Sequence, residues 1–239
     1  MIEALEAGST AILLDEDTCA ANGMYRDAAM AALVAPDKEP LMPLTARIRS
    51  LAAAGVASIL VMGGSSAYFG EADTVVMMDC YAPSDVTARA HAIAGHGPSS
   101  GAPTFTLPRP RPLPPALAAS GGGGGGAPKV AVRSRGLVSF GDVDLDLGAV
   151  SQLVEKSQTR AVAAALLLLR SWALRPGAGG RLTVPQALDA LEAALDAGGL
   201  DALGRGHHAA GDLARPRRLE IAAAFNRLRM SPVYGLLSA

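Results

Sequence analysis

Aromatic residues and cysteines are scarce in this chain of 239 residues. Aromatics make up 4% of it, and its two cysteines are Cys19 and Cys80. Two cysteines cannot form a disulfide framework or a thiolate zinc site, so we expect free thiols in a reducing compartment. The amino terminus lacks a leader pattern, and Glu3 and Glu6 argue against an organelle transit peptide. We therefore favour an intracellular, cytoplasmic protein, with an organelle left open because an upstream segment can be missing.

Two further features are missing from the sequence. No apolar run reaches the length of about 18 residues that a membrane-spanning helix needs, because the longest, at 161–169, lies between Arg160 and Arg170. A phosphate loop of the form G-x-x-x-x-G-K-[S/T] is also absent. The glycine run at 121–126 continues as Ala127-Pro128-Lys129, which lacks the Lys-Ser or Lys-Thr pair, so we interpret it as linker.

Charge is balanced over the whole chain but unevenly distributed along it. The net charge of −1 argues against bulk electrostatic binding to nucleic acid or membrane. Residues 1–97 carry 5 Lys and Arg against 12 Asp and Glu, whereas residues 128–239 carry 14 against 10. The average therefore hides an acidic first part and a basic second part.

The most informative segment is the apolar run Ala11-Ile12-Leu13-Leu14 and the polar run Asp15-Glu16-Asp17-Thr18 that follows it. An apolar run that ends abruptly in charge is typical of a buried parallel strand whose carboxyl end opens into a site. Carboxylates at this edge of an α/β sheet are where ligands and Mg²⁺ usually bind. The alternative is a polar loop after a core strand.

The pattern continues with alternating helices and strands. Residues 24–34 and the segment that begins at Leu44 are predicted helices, and residues 56–62 and 74–78 are predicted strands. Strands separated by helices predict a parallel sheet with right-handed crossovers. Gly63, Gly64 and Ser65 then lie at the same edge as Asp15. They form either a tight strand-to-helix turn or a site close to bound phosphates.

The composition changes at residues 95–128, where prolines are followed by glycines. We predict a disordered linker there, between a first domain at 1–94 and a second at 129–239. The second domain is expected to contain strands at 130–138 and 142–147, a helix over 148–174 capped by Asp146, a helix capped by Thr183, and a last helix over 216–230. The predicted fold is α/β, with a parallel sheet and helices followed by a smaller, mainly helical α+β domain.

Basic residues cluster on the last predicted helix, where Arg215, Arg218 and Arg229 lie close to Asn226. Guanidinium groups bind phosphates in a bidentate manner, so this stripe is a candidate contact for an RNA backbone. The alternative is a solvated helix surface or a face for salt bridges between subunits. The pair His207-His208 has no acidic or thiol partner at ligand spacing and is interpreted as a loop.

The segment Asp15-Glu16-Asp17-Thr18-Cys19-Ala20-Ala21-Asn22 resembles the junction of the Walker B strand and the D-loop in ABC-class ATPases. The resemblance implies that Asp15 holds Mg²⁺, that Glu16 polarises the attacking water, and that residues 19–22 form a D-loop reaching across a homodimer. One relative in this family is associated with organellar RNA editing. Other similar segments follow in order: Tyr25-Arg26-Asp27, Val61-Met62-Gly63-Gly64-Ser65, Tyr68-Phe69, Ala72-Asp73-Thr74-Val75, Asp85-Val86-Thr87, Gln152-Leu153-Val154-Glu155, Gly211-Asp212-Leu213-Ala214-Arg215-Pro216-Arg217 and Glu220-Ile221-Ala222-Ala223-Ala224-Phe225-Asn226-Arg227-Leu228.

The resemblance implies an ATPase that uses ATP and Mg²⁺, with Gly63, Gly64 and Ser65 close to the nucleotide. Because the phosphate loop and the ABC signature are absent, the chain resembles the carboxyl-terminal part of such an enzyme. Alone, it is expected to bind nucleotide poorly and to hydrolyse it negligibly.

Two alternatives remain open. One is a non-catalytic module that only binds a partner chain. The other is a haloacid-dehalogenase-like phosphatase, with Asp15 as nucleophile and Asp17 as acid and base. Cys19 departs from the motif of that family, which usually has Thr or Val there. Such a phosphatase also needs a basic residue, and the lysine near this segment is Lys38, which lies between prolines in sequence.

Overall fold

The structure is a computed structural model that describes residues 1–98, 106–113, 128–174, 182–204 and 210–228. The glycine run at 121–126, the pair His207-His208 and Arg229 lie outside these residues. The chain divides into two compact units. The first unit comprises residues 10–107, and the second comprises residues 1–9 together with residues 108–239.

The described helices and strands are interspersed along the chain. The helices are α1 (Ile2–Glu6), α2 (Ala21–Met24), α3 (Ala28–Leu33), α4 (Ile48–Ala53), α5 (Thr87–Ala94), α6 (Lys156–Ala173), α7 (Val184–Gly198) and α8 (Arg218–Arg227). The strands are β1 (Ala11–Asp15), β2 (Ala57–Val61), β3 (Val76–Asp79), β4 (Ala82–Asp85), β5 (Val130–Ser134), β6 (Leu137–Phe140) and β7 (Val143–Asp146).

The first unit contains a parallel pair of strands. β1 pairs with β2 in a register that sets Ala11 opposite Ala57 and Asp15 opposite Val61. α2, α3 and α4 lie between the two strands in sequence, as a parallel crossover requires. The predicted strand that ends at Asp15 is therefore confirmed as a strand, and so is its neighbour at 56–62. Their predicted burial is wrong for the described residues, because Leu13 on β1 and both Ile59 and Val61 on β2 are exposed. This mixture of helices and parallel strands fits the predicted α/β class.

The third strand of the first unit does not extend this parallel sheet. β3 pairs with β4 in an antiparallel hairpin that forms a separate two-stranded sheet. The prediction of a third parallel strand at 74–78 is therefore wrong. At the hairpin turn, Cys80 has a φ of 46° and Tyr81 a φ of 66°. Two successive positive φ values are typical of a type I′ hairpin turn, which usually has Asn and Gly, so the sequence Cys-Tyr did not indicate it.

The second unit combines an antiparallel sheet with helices. The sheet has the order β5-β6-β7, and α6 packs against β5, β6 and α8. Its core is one apolar cluster that includes Phe140, Leu145, Leu166, Leu191 and Ile221. The structure divides the predicted strand at 130–138 into β5 and β6, because the chain turns at residues 135 and 136.

Two helix starts in the second unit can be compared with their predicted caps. α6 begins at Lys156, eight residues after the predicted start, because Glu155 and Gln158 form a reciprocal capping box there. The predicted cap, Asp146, instead accepts a hydrogen bond from the Gly148 N–H at 2.8 Å. The predicted cap of α7 is confirmed, since Thr183 and Gln186 form a capping box.

The first residues of the chain and part of the proline-rich segment belong to the second unit. Glu6, on α1, accepts hydrogen bonds from the backbone N–H of Arg111 at 2.7 Å and from its guanidinium Nη2 at 2.6 Å. Leu113 is buried in the core cluster, and its N–H donates to the Leu182 carbonyl at 2.9 Å. Residues 108–113 are therefore packed, unlike the tether that their composition predicts. The predicted domain boundaries themselves stay a prediction.

The Glu6 contacts predict a large effect of a single substitution on the stability of the second unit. The Glu6 side chain is 3% exposed, so Glu6→Ala leaves the Arg111 donors without their buried acceptor. We expect a loss of about 1.5–3 kcal/mol in the free energy of unfolding, the range for hydrogen bonds to charged groups. Urea unfolding followed by the fluorescence of Trp172, which packs against the core, measures it.

The matched control is Glu3→Ala, which removes an exposed carboxylate from the same helix. It is expected to change the free energy of unfolding by less than about 0.5 kcal/mol. Equal losses for the two variants would contradict a specific role of Glu6.

Candidate functional site

The two predicted carboxylates lie at the carboxyl end of β1. Asp15 is the last residue of the strand, and Glu16 opens a short 3-10 helix over Glu16–Thr18. Asp15 Oδ1 accepts a hydrogen bond from the Asp17 N–H at 3.4 Å, and the Thr18 hydroxyl donates to the Asp15 carbonyl at 3.2 Å. Within the described ranges, neither carboxylate forms an ion pair with a lysine or arginine. Both are therefore at the sheet edge that the sequence predicts.

The turn after β2 contacts the carboxylate that follows β1. The backbone N–H groups of Gly63 and Gly64 each donate to Glu16 Oε2 at 2.8 Å. The N–H of Gly64, followed by that of Gly63, lowers the pKa of the Glu16 carboxyl, and the nearby Tyr25 side chain lowers it to a smaller extent. Parallel pairing of β1 and β2 brings Glu16 to this turn across 47 positions of sequence.

Ser65, the third residue of this turn predicted to lie close to the nucleotide, and nearby Tyr68 each form a hydrogen bond with the backbone. Ser65 Oγ accepts a hydrogen bond from the Ala67 N–H at 3.2 Å. Tyr68 is buried and donates its hydroxyl to the Met24 carbonyl, which fixes the end of α2. The direct nucleotide contacts of Gly63, Gly64 and Ser65 stay predictions. The effect of Tyr25 on the pKa of Glu16 was missed, although Tyr25 lies in one of the segments that carry the family resemblance.

The chemistry of these side chains can be tested against a magnesium ion. Mg²⁺ prefers oxygen ligands and is often held by one or two carboxylates, with water and substrate phosphates completing its shell. The Asp15 carboxylate fits such a ligand, because the hydrogen bond that it accepts from the Asp17 N–H is long and therefore weak. No group of three or more His, Cys, Asp or Glu suited to a metal occurs among the described residues. Asp15 therefore fits a shared site with a nucleotide, not a complete protein cage.

The predicted D-loop at 19–22 is short and partly helical. Cys19 is half-buried, and Ala21 begins α2. The segment follows the carboxylates directly, as the resemblance implies. Its role in a dimer stays a prediction.

Arginines of the predicted basic stripe take part in ion pairs within the second unit. The Arg218 guanidinium donates to Asp189, to Glu192 at 2.9 Å and to the carbonyl of Ala7. Arg215, which precedes α8, pairs with Asp196. An arginine whose donors are already bound to carboxylates has little capacity left for phosphate. The role of Arg215, Arg218 and Arg229 in RNA binding stays a prediction.

Two models of known protein families match this chain. Residues 1–105 match the P-loop domain of the ABC_ATPase family, and residues 129–234 match the MRB1590 C-terminal domain. The resemblance of this chain to ABC-class ATPases, a family of nucleotide-binding proteins, is therefore confirmed over residues 1–105. No curated protein sequence matches the chain.

None of the helices in the described part of the chain combines the length and the apolar character that crossing a bilayer requires.

The ion pairs of the basic stripe predict unequal effects of two arginine substitutions. The Arg218 side chain is 19% exposed and the Arg215 side chain is 50% exposed. Arg218→Ala is expected to lower the free energy of unfolding by about 2–3 kcal/mol, because several acceptors lose a charged donor. Arg215→Ala is expected to cost less than about 1 kcal/mol, as an exposed pair does. Urea unfolding of both variants tests this, and a larger loss for Arg215→Ala would contradict the assignment.

Proposed function

We propose that this chain is the carboxyl-terminal part of an ABC-class ATPase core, which hydrolyses ATP when a phosphate loop is supplied by polypeptide outside this sequence. The observation that carries the proposal is the position of Asp15 and Glu16 at the carboxyl edge of a parallel strand pair. Ligands of open α/β sheets bind at this edge. The family match over residues 1–105 supports the same chemistry.

The roles of the two carboxylates follow from their positions. Asp15 would hold Mg²⁺, which supplies neutralisation of negative charge on the phosphates. Glu16 would accept a hydrogen bond from the attacking water and orient it toward the terminal phosphate. Phosphoryl transfer depends mainly on positioning and on stabilisation of charge, so two carboxylates at a rigid strand end suit this reaction.

The surface of the parallel strand pair supports the proposal that this ATPase core needs further polypeptide. Parallel strands are normally covered on both faces, because crossover helices pack on each side. Here Leu13 is 74% exposed, and Ile59 and Val61 on the adjacent strand are 60% and 64% exposed. The absence of a phosphate-loop motif points in the same direction.

The partners of this ATPase core follow from the family resemblance. Two copies would pair through the core, with residues 19–22 as the D-loop. RNA would bind the second unit, where basic residues outnumber acidic ones by 14 to 10 over residues 128–239. Arg215 is the stripe residue with the more exposed side chain of the two described, and is the first candidate for such a contact.

The two alternative functions, a phosphatase and a partner-binding module without catalysis, make predictions that differ from those of the ATPase. The phosphatase requires Asp17 as acid and base, whereas the ATPase does not use that side chain. The family match favours the ATPase over the phosphatase. A partner-binding module without catalysis predicts that no complement restores turnover.

The first test is nucleotide binding by the chain alone. The 239-residue chain is expected to bind Mg-ATP with a Kd weaker than about 1 mM, since the phosphate-binding loop is absent from its sequence. Isothermal titration calorimetry measures this. Tight binding by the purified chain would refute the dependence on an added phosphate loop.

The second test is complementation. The chain is mixed with, or fused behind, a polypeptide that carries the phosphate loop and signature of an ABC-class ATPase, and ATP turnover is measured. Turnover is expected only when both parts are present. Glu16→Gln should then lower kcat by about 100-fold or more, because it removes the base that orients water, while ATP binding is retained.

The matched control is Asp17→Asn, which neutralises the next carboxylate along the chain and is expected to leave turnover unchanged. Loss of activity in Asp17→Asn together with retention in Glu16→Gln would favour the phosphatase. Unchanged turnover in Glu16→Gln would remove this residue from the mechanism. No turnover with any complement would favour the non-catalytic module.

A further inference from the structure

The turn after β2 donates two backbone hydrogen bonds to the carboxylate that follows β1. Gly63 and Gly64 aim their backbone N–H groups at the same oxygen, Glu16 Oε2, at 2.8 Å each. The resemblance implies that this turn lies near the nucleotide. A backbone N–H whose hydrogen points at a carboxylate oxygen at this distance is not available to a phosphate oxygen as well.

We propose that Gly63 and Gly64 are positioning residues whose backbone N–H groups hold the Glu16 carboxylate in place for the attacking water. This inference rests on the proposed function of Glu16 in the ATPase. The turn then serves the water-orienting carboxylate and does not bind the nucleotide directly.

Backbone donors are well suited to this task. A glutamate side chain has several rotatable bonds, and a carboxylate that must orient water loses efficiency when it samples other rotamers. Hydrogen bonds to an ionised acceptor are stronger than bonds between neutral groups. The donors here belong to the main chain of the turn after β2, so they cannot change rotamer as a side chain can.

Space around the turn allows substitutions that test this contact. A Cβ atom at Gly64 would lie 3.4 Å from Glu16 Oε1 and 3.7 Å from Oε2, which is ordinary van der Waals contact. A Cβ atom at Gly63 would meet nothing within 4 Å. Gly63 therefore offers a position where a substitution can be made without a clash.

The test measures hydrogen exchange of the Gly63 and Gly64 amides by nuclear magnetic resonance in the nucleotide-free 239-residue chain. Glu16→Ala removes the acceptor, and exchange of both amides is expected to accelerate by about tenfold to a hundredfold. Glu16→Gln keeps an acceptor oxygen and is expected to restore most of the protection. Asp17→Ala is the matched control, with exchange of both amides as in the unsubstituted chain. The amides of Ile59 and Leu60 on β2 report whether the sheet remains folded.

A second measurement separates positioning from nucleotide binding in the complemented ATPase. Gly63→Pro removes one donor, because proline has no backbone N–H, at a position where a Cβ atom meets nothing within 4 Å. We expect kcat to fall about tenfold with KM for ATP unchanged. The substitution removes an interaction with the water-orienting group, whereas it leaves the contacts with bound nucleotide in place. In Gly63→Ala the N–H is retained, and the Gly64 amide should keep its slow exchange.

The exchange measurement tests the contact itself, and the kinetic measurement tests its role in the complemented ATPase. Fast exchange of Gly63 and Gly64 in the unsubstituted chain, or no acceleration in Glu16→Ala, would overturn it whether or not ATP is hydrolysed. A raised KM with unchanged kcat in Gly63→Pro would also overturn it, since the turn would then bind nucleotide. Slow exchange that depends on Glu16, combined with full turnover in Glu16→Gln, would leave the contact intact and refute only the proposed function.

Discussion

Parallel pairing of β1 with β2 is the constraint from which the candidate site follows. The register that sets Asp15 opposite Val61 brings the residues after both strands to one edge of the sheet. Glu16 and the Gly63-Gly64 turn meet there, although 47 positions separate Glu16 from Gly63. A shift of one residue in this pairing would turn the side chains to the opposite face and separate the carboxylate from its donors. The geometry of the candidate site therefore depends on strand register.

Charge has a structural role in the second unit. Glu6 and Arg111 join α1 to the segment at 108–113, and Arg218 joins α8 to carboxylates of α7 and to the Ala7 carbonyl. Partly buried ions need such partners, because removal from water is unfavourable for an uncompensated charge. Arginines that a helical projection assigns to a ligand-binding stripe can thus be required for packing. The excess of basic residues over 128–239 does not by itself define a binding surface.

Local signals predicted those parts of the fold that depend on neighbouring residues. The apolar runs that form β1 and β2 and the Thr183 cap of α7 lie where the sequence indicates. Elements that depend on less usual local geometry were missed. The hairpin turn at Cys80 and Tyr81 contains no glycine or asparagine, and the capping box at Glu155 starts α6 later than the Asp146 signal indicates. Leu113 is buried although prolines surround it in sequence, because burial depends on the core that it meets.

By itself, the sequence determined that this chain is related to ABC-class ATPases, that two carboxylates follow an apolar strand, and that a phosphate-loop motif is absent from it. These properties depend on residue type and local order. Only the tertiary structure decided which groups those side chains contact. Glu16 is held by two backbone N–H groups of a distant turn, and Arg218 by carboxylates of another helix. Backbone donors have no sequence signature, and the choice among many oppositely charged partners depends on how the helices and strands pack in space.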